Sequence, residues 1–134
     1  MIKNRLSQSA IEFMILTGFL LFSFTIFFIA VQGNMNDKIK ERQALAVKNV
    51  AIMVQDEINL AFQSSEGYYR TFKIPENING LKYDIEIIED LVYVKTQDGK
   101  YAIALPVKEV TGEVIKGETN FIKKENGEIK LNVI

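Results

Sequence analysis

The sequence predicts an α+β protein in which one long N-terminal helix packs on a small antiparallel β-sheet domain. Three observations lead to this fold class. Residues 13–31 form an apolar run without a charge, residues 37–64 repeat apolar side chains every three or four positions, and residues 66–134 alternate apolar and polar side chains between turns. The 134 residues have room for one modest domain and a long helix, because two full-sized domains would need more chain.

The apolar run has the length of a membrane-spanning helix. At about 1.5 Å of rise per residue, residues 13–31 extend roughly 28 Å, close to the thickness of a bilayer's hydrocarbon core. Six of the nine phenylalanines lie in this run and are spread around the helix, so that no face is left for water. Gly33 and Asn34 are weak helix formers that could kink or unwind the helix. Since Lys3 and Arg5 precede the run, we expect the N-terminus in the cytoplasm and the C-terminal domain outside.

Residues 37–64 are predicted to continue the helix with an amphipathic face. The stripe expected to pack on the sheet consists of Val47, Val50, Val54, Ile58 and Ala61. A second group widens the apolar surface and consists of Leu45, Ile52, Met53, Leu60 and Phe62. This pattern predicts that a sheet covers one side of the helix and suggests another molecule for the other side. The polar segment 63–69, with Gly67, predicts the helix end, so that the helix covers residues 8–65.

The remaining residues, 66–134, are predicted to form a domain of four to six antiparallel strands. The expected strands are the short segment 70–74 and the segments 82–88, 91–96, 100–107, 119–124 and 128–134. Asp98-Gly99 and Asn126-Gly127 are strong hairpin signals between neighbouring strands. Because a small sheet must bury one face, the amphipathic helix is expected to supply the other layer of the core.

The composition offers little for catalysis. Histidine and cysteine are absent, so the usual general bases, thiolate nucleophiles and transition-metal ligands are missing. Adjacent carboxylates occur at Asp56-Glu57 and Glu89-Asp90; they could serve acid–base chemistry or bind calcium, but a solvated helix face and a solvated turn are the expected roles. Lys123 and Lys124 are expected to be a surface pair that aids solubility. We therefore expect no enzyme, no cofactor and no metal site.

The charge balance also argues against nucleic acid as a partner. The 16 basic and 17 acidic residues give a net charge of −1 without a basic cluster, and phosphate binding needs clustered lysine and arginine.

The segment before the apolar run suggests proteolytic processing. A secretory signal would be cut after its apolar region, near residues 28–35, but such a region is usually shorter than this one. Cleavage between Ser7 and Gln8 would instead remove only a basic leader of residues 1–7. The apolar helix would then stay in the mature protein, with a new α-amine at Gln8.

This segment resembles the class III signal peptide of archaeal type IV pilins. That motif runs Gln-x-Ser-x-Glu-x-x-x-Leu after a basic leader that ends in a small residue. Gln8, Glu12 and Leu16 match it in register, Ser7 is the small residue before the cut, and Ala10 stands where the family more often has serine. The layout is also similar, since a long N-terminal helix precedes a small β-rich domain.

The resemblance implies a structural role in a surface filament. The precursor would wait in the membrane until a prepilin peptidase removed the leader that contains Lys3 and Arg5. A pilus assembly platform would then add the subunit to a filament whose other members are further copies of the chain or other pilins. In such filaments the α-amine of Gln8 is expected to pair with Glu12 of a neighbouring subunit, and Leu16 belongs to the same assembly segment.

Other interpretations stay open at the level of sequence. Glu12 lies in the first turn of the predicted helix, where the helix dipole favours an acid, and at a membrane edge it can stay hydrated. It could also pair with the amine of its own chain. The protein would then be a single-pass membrane-anchored binding module that does not polymerise, or an anchored enzyme that uses carboxylates alone.

Overall fold

Helix α1 covers Ile2–Gln63 and is the only helix of the described residues. The computed structural model describes residues 2–134, with side chains from Ser7 onward. α1 begins upstream of the predicted start at Gln8, since no proline or glycine interrupts the first residues.

The chain forms two compact units, one ending at Lys40 and the other spanning Glu41–Ile134. The first unit is entirely α-helical from Ile2 onward, including Gly33 and Asn34. Local unwinding at these two residues, which the sequence suggested, does not occur.

Within the second unit, α1 buries the stripe predicted from its periodicity. The exposed fractions are 2% at Val47, 4% at Val50 and 0% at Val54, Ile58 and Ala61. The predicted contact face is therefore confirmed, because a period of 3.6 residues places these five positions on one side of the helix. The second apolar group is largely exposed, with 50% at Leu45, 47% at Phe62 and 40% at both Met53 and Leu60.

Seven strands follow the helix and form two sheets. They are β1 (Tyr69–Lys73), β2 (Tyr83–Ile88), β3 (Leu91–Thr96), β4 (Ala102–Pro106), β5 (Val110–Gly112), β6 (Thr119–Glu125) and β7 (Glu128–Leu131). One sheet has the order β1-β6-β7-β5 and the other the order β2-β3-β4. The predicted α+β class is confirmed: a long helix packs against two small, mostly antiparallel sheets.

Strand β5 corrects two details of the prediction. It raises the number of strands above the expected four to six, and it pairs with β7 in parallel rather than antiparallel orientation. With only three residues, of which one is a glycine, β5 is too short to show an alternating pattern in the sequence. Only its position beside β7 makes it a strand.

Both predicted glycine turns connect strands as expected. Asn126 and Gly127 join β6 to β7 and both have positive φ, 55° and 78°, as a type I′ hairpin turn requires. Between β3 and β4, Gly99 donates its N–H to the carbonyl of Thr96 at 2.9 Å. The side chain of Asp98 supports this turn by accepting hydrogen bonds from the Thr96 hydroxyl at 2.6 Å and from the Lys100 N–H at 3.1 Å.

A hydrogen-bonded pair of asparagines, Asn120 and Asn132, fixes the segment between β5 and β6. Asn120 is fully buried, and its Oδ1 accepts hydrogen bonds from the Ile115 N–H at 2.7 Å and from Nδ2 of Asn132 at 2.6 Å. Nδ2 of Asn120 in turn donates to the Ile115 carbonyl at 2.9 Å. A hydrogen-bonded buried amide is tolerated in a core, and here it stands in for backbone pairing that an irregular loop cannot provide.

Lys124 caps the end of α1, which corrects its predicted role as a surface lysine. Its Nζ donates hydrogen bonds to the carbonyls of Phe62 and Ser64 at 2.8 and 2.9 Å. The last turn of α1 contains no basic residue of its own. A cation from β6 therefore satisfies carbonyls at the negative end of the helix dipole.

Candidate assembly helix

The first unit presents an exposed apolar helical surface. α1 contains a window long and apolar enough to cross a membrane, and none of that window is buried. The exposed fractions of its large apolar side chains range from 38% at Val31 to 75% at Met14. The largest of them are Phe13, Phe19, Phe22, Phe24, Phe27 and Phe28.

One hydroxyl within this surface forms a hydrogen bond to the backbone of its own helix. The hydroxyl of Thr25 donates to the carbonyl of Leu21 at 2.8 Å, as serine and threonine do in helices that lack water. The helix therefore has the side-chain chemistry of a segment that lipid or other apolar helices cover.

Glu12 lies near the start of this surface, one turn after Gln8. Nε2 of Gln8 donates a hydrogen bond to Oε1 of Glu12 at 3.2 Å. The two residues are four positions apart in the chain, so their side chains are neighbours on the helix surface. This is the only hydrogen bond of the Glu12 carboxylate among the side chains that are described, and both side chains are exposed. Oε2 therefore remains available to a further donor.

The α-helix places the three predicted assembly residues along one side. Gln8, Glu12 and Leu16 follow one another at intervals of four residues, which a helix of 3.6 residues per turn keeps within a narrow arc. Leu16 is 57% exposed. A neighbouring chain would thus meet an amide, a carboxylate and an apolar side chain in succession.

The predicted cleavage site lies at the beginning of the described side chains. Ser7 and Gln8 are both exposed and helical, so a peptidase would reach the bond without opening a core. Lys3 and Arg5, the basic residues of the predicted leader, lie outside the residues whose side chains the structure describes.

Glu89-Asp90 lies in a solvated turn as expected, whereas only Asp56 of the other adjacent carboxylate pair is solvated, because Oε2 of Glu57 is buried. Asp56 is exposed on α1, and Oε2 of Glu57 lies 3.4 Å from Nε of Arg70, an ion pair without hydrogen-bond geometry. Glu89 and Asp90 form the exposed two-residue turn between β2 and β3. Within residues 7–134 no three acidic side chains cluster as a metal site would require.

Sequence reasoning missed two surface grooves in the second unit. One, of about 410 Å³, lies beside β4, and the other, of about 370 Å³, lies beside β2. The pattern of residues does not reveal them, because they depend on which strands are the outer strands of the sheet.

Comparison of the chain with protein-family models, curated proteins and solved structures finds no match. The architecture is nonetheless pilin-like: an exposed apolar N-terminal helical segment continues into a segment that packs on antiparallel sheets.

Proposed function

We propose that this protein is a pilin or pilin-like structural subunit of an archaeal type IV pilus filament. The observation that carries the proposal is that no part of the apolar window of α1 is buried. Such a surface is stable in water only when something covers it. A bilayer covers it before assembly, and the corresponding helices of other subunits cover it in the filament.

When the apolar helix moves from lipid into the filament, polar contacts contribute much of the free energy of association. Lipid tails are as apolar as the side chains of 13–31, so exchanging one for the other changes the hydrophobic energy little. Close packing and hydrogen bonds must then drive association. Glu12 provides such a contact, because a carboxylate enclosed among apolar helices is costly unless it is paired.

Removal of the leader creates the partner for Glu12. In the uncut chain the nitrogen of Gln8 is a peptide nitrogen, and Glu12 receives a neutral amide donor from the Gln8 side chain. Cleavage after Ser7 converts the nitrogen of Gln8 into a charged α-amine. A charge-assisted hydrogen bond from that amine to Glu12 of a neighbouring subunit is roughly twice as strong as a neutral one.

The N-terminal sequence of the mature protein tests the processing step. We expect the chain to begin at Gln8 when it is isolated from cells that contain a prepilin peptidase, and to begin at Met1 when the peptidase is absent. A chain that keeps Met1 in both strains, or that begins near Asn34, contradicts the proposal. An intact N-terminus would favour a single-pass membrane-anchored binding module.

Glu12→Ala tests the assembly step. We expect membrane insertion and leader removal to be unchanged but incorporation into filaments to fall roughly tenfold or more, since a hydrogen bond to a charged group contributes about 2 kcal/mol. The measurement is the ratio of mutant to wild-type subunit in sheared filaments when both are expressed together. Asp37→Ala, which removes an exposed acid beyond the apolar run, should assemble normally. Equal incorporation of Glu12→Ala and wild type would show that Glu12 has no assembly role.

A further inference from the structure

Strand β4 leaves part of its backbone unpaired. It is an outer strand of the order β2-β3-β4, and Thr96 of β3 donates its N–H to the Tyr101 carbonyl at 2.9 Å. Bonded and non-bonded pairs alternate along an antiparallel ladder. Ala102 and Ala104 therefore direct their N–H and C=O groups away from β3, and no described residue pairs with them. This unpaired edge ends at Pro106, which has no N–H and whose carbonyl accepts a hydrogen bond from Nε2 of Gln55 at 2.6 Å.

Strand β2 has a similar open edge on the opposite side of the same sheet. Gln97 donates its N–H to the Lys82 carbonyl at 2.9 Å, which fixes the alternation along the β2–β3 ladder. Ile85 and Ile87 consequently direct their N–H and C=O groups outward, and no described residue pairs with them. The edge is bounded at Tyr83, whose carbonyl accepts a hydrogen bond from Nζ of Lys116.

The side chains along these two edges fit a parallel pairing between copies. Ala104 directs its N–H and C=O groups away from the sheet, and its side chain lies on the exposed face. Ile85 and Ile87 also direct these groups outward, but their side chains lie on the half-buried face. In a parallel ladder, a residue whose N–H and C=O bond to the neighbouring strand lies opposite a residue whose N–H and C=O point away from the first strand. The side chains of the two residues lie on the same face. Ala104 then lies opposite the exposed Glu86, donates to the Ile85 carbonyl and accepts from the Ile87 N–H.

The strand directions agree with this arrangement when neighbouring copies share one orientation. β2 and β4 both run antiparallel to β3, and are therefore parallel to each other within one sheet. A second copy in the same orientation presents its β2 parallel to the β4 of the first copy. Copies that keep one orientation are what a filament of parallel subunits contains.

The grooves beside the two edges are complementary in charge and apolar surface. The β4 groove is bordered by Lys48 and Lys100, which outnumber the single acid Glu41. The β2 groove is bordered by Glu86 and Glu113 without a basic residue.

Each groove also contains a large apolar side chain that is half exposed. Leu45 lies in the β4 groove and Ile88 in the β2 groove, and each is 50% exposed. Joining the two edges would cover both side chains and bring opposite charges together.

We infer that the β4 edge of one subunit binds the β2 edge of the next, so that the three-stranded sheets of neighbouring subunits join. The occupant of each groove is thus a second copy of this chain. The two surfaces are different, so the contact is heterologous, and a heterologous contact repeats from copy to copy in an open filament. This inference rests on the proposed filament and names the contact between its β-domains.

Disulfide trapping tests the contact in isolated filaments. The chain has no cysteine, so Glu86→Cys combined with Ala104→Cys introduces one thiol at each edge. Neighbouring residues on adjacent strands are within the distance that a disulfide spans. Under mild oxidation we expect a ladder of dimers, trimers and longer oligomers on a non-reducing gel, because each subunit links to the next.

Matched controls separate this contact from accidental cross-linking. Glu86→Cys alone and Ala104→Cys alone should remain monomeric. Thr71→Cys combined with Ala104→Cys should also remain monomeric, although Thr71 is exposed on β1, the outer strand of the other sheet. If the double variant forms filaments but its chains run as monomers on the non-reducing gel, the inference is overturned and the proposed function stays intact. If wild-type chains form no filaments, the proposed function fails and the inference fails with it.

Ala104→Pro provides a second test that needs no cysteine. Proline removes an N–H that β3 does not use, so the melting temperature of the subunit should change little, while the yield of filaments should fall about tenfold or more. Thr71→Pro removes an outward N–H from β1 and should leave the yield unchanged. A normal filament yield from a folded Ala104→Pro subunit overturns the inference. This outcome counts even if the double-cysteine chain does not form filaments and cannot be tested.

Discussion

Gly112, the last residue of β5, occupies a position that no other residue fits. Its φ is 114°, and a Cβ atom there would lie 1.8 Å from the carbonyl oxygen of Leu131. β5 is thus held against β7 at a distance that a side chain would prevent. The short parallel strand depends on this glycine more than on β propensity.

Gly112→Ala should destabilise the β-domain by about 2 to 4 kcal/mol, because the added carbon forces the strands apart and strains the backbone. Gly99→Ala is the control, since Gly99 also has positive φ, 71°, but no atom within 4 Å of its Cβ position. That change should cost about 1 kcal/mol. Urea unfolding of the full chain in detergent measures both, and equal losses would show that the contact with Leu131 is unimportant.

Tyr83, at the start of β2, makes the fold sensitive to alkali. Its side chain is fully buried, its hydroxyl donates to the Pro75 carbonyl, and burial raises its pKa to about 12. In the unfolded chain the pKa is about 10. The folded state therefore holds this proton to higher pH than the unfolded state does.

The ionisation of Tyr83 should therefore leave the melting temperature unchanged below about pH 10. Between about pH 10 and pH 12 the melting temperature should fall, because the tyrosine loses its proton in the unfolded state but keeps it in the folded state. In Tyr83→Phe this part of the alkaline decline should disappear, although the lost hydrogen bond lowers stability by about 1 kcal/mol. Tyr69→Phe, at a position that is 62% exposed, should keep the wild-type profile. An unchanged profile in Tyr83→Phe would contradict this account.

At the scale of elements, α1 depends on β6 for its C-terminal cap. The helix provides no cationic cap of its own, because its last turn has no basic residue. Lys124 supplies the charge from the sheet and also lies 5.7 Å from the centre of the Phe62 ring. Packing thereby joins the end of the helix to the four-stranded sheet.

Lys124→Ala should reduce the free energy of unfolding by about 1 to 2 kcal/mol, because two helix carbonyls lose a charged donor. The neighbouring change Lys123→Ala removes an ion pair of 3.4 Å with the exposed Glu125 and should cost less than about 0.5 kcal/mol. Chemical denaturation of the two variants side by side makes the comparison. Similar losses for both lysines would refute the capping role.

Both predicted faces of α1 in the second unit follow from its sequence period, but only one is buried. The stripe that contains Val54 and Ile58 is covered by the sheets, whereas Leu45 and Met53 are exposed. The periodicity identifies the faces, since it depends on helix geometry alone. Which face meets the sheets depends on how seven strands assemble, and the spacing of residues in the helix does not contain that information.

At the scale of the whole molecule, the first unit supplies a helical segment long and apolar enough to cross a membrane. None of its apolar window is buried, and apolar side chains favour contact with lipid or with other apolar surfaces over contact with water. The second unit has its own core of both sheets and the amphipathic part of α1. The molecule thus combines a domain that has its own core with an exposed apolar helical segment.

In cells that lack a pilus assembly system, we expect the full chain to stay in the membrane fraction after an alkaline carbonate wash. Burying a window of this length in a bilayer is effectively irreversible compared with peripheral binding. A chain in which Phe19, Phe22 and Phe27 are all changed to Asp should be released into the supernatant. Release of the unmodified chain would contradict a membrane-spanning precursor.

The sequence by itself determined the features that depend on local geometry. These are the long helix, the length of the apolar run in residues 13–31, the buried stripe of α1 and the two glycine turns, because each follows from a fixed period or a fixed φ preference. The order of Gln8, Glu12 and Leu16 likewise needs only the helix to place them on one side. The leader cut and the pairing of Glu12 with a neighbour stay predictions.

Tertiary structure alone decided the features that depend on which segments meet. It assigned β5 to a parallel pair, brought Lys124 to the end of α1, and made β2 and β4 the outer strands of one sheet. These contacts join residues far apart in the chain, and many strand orders satisfy the same local patterns. The physical reason is that the choice among those orders rests on the summed packing of the core, which no single segment of the sequence encodes.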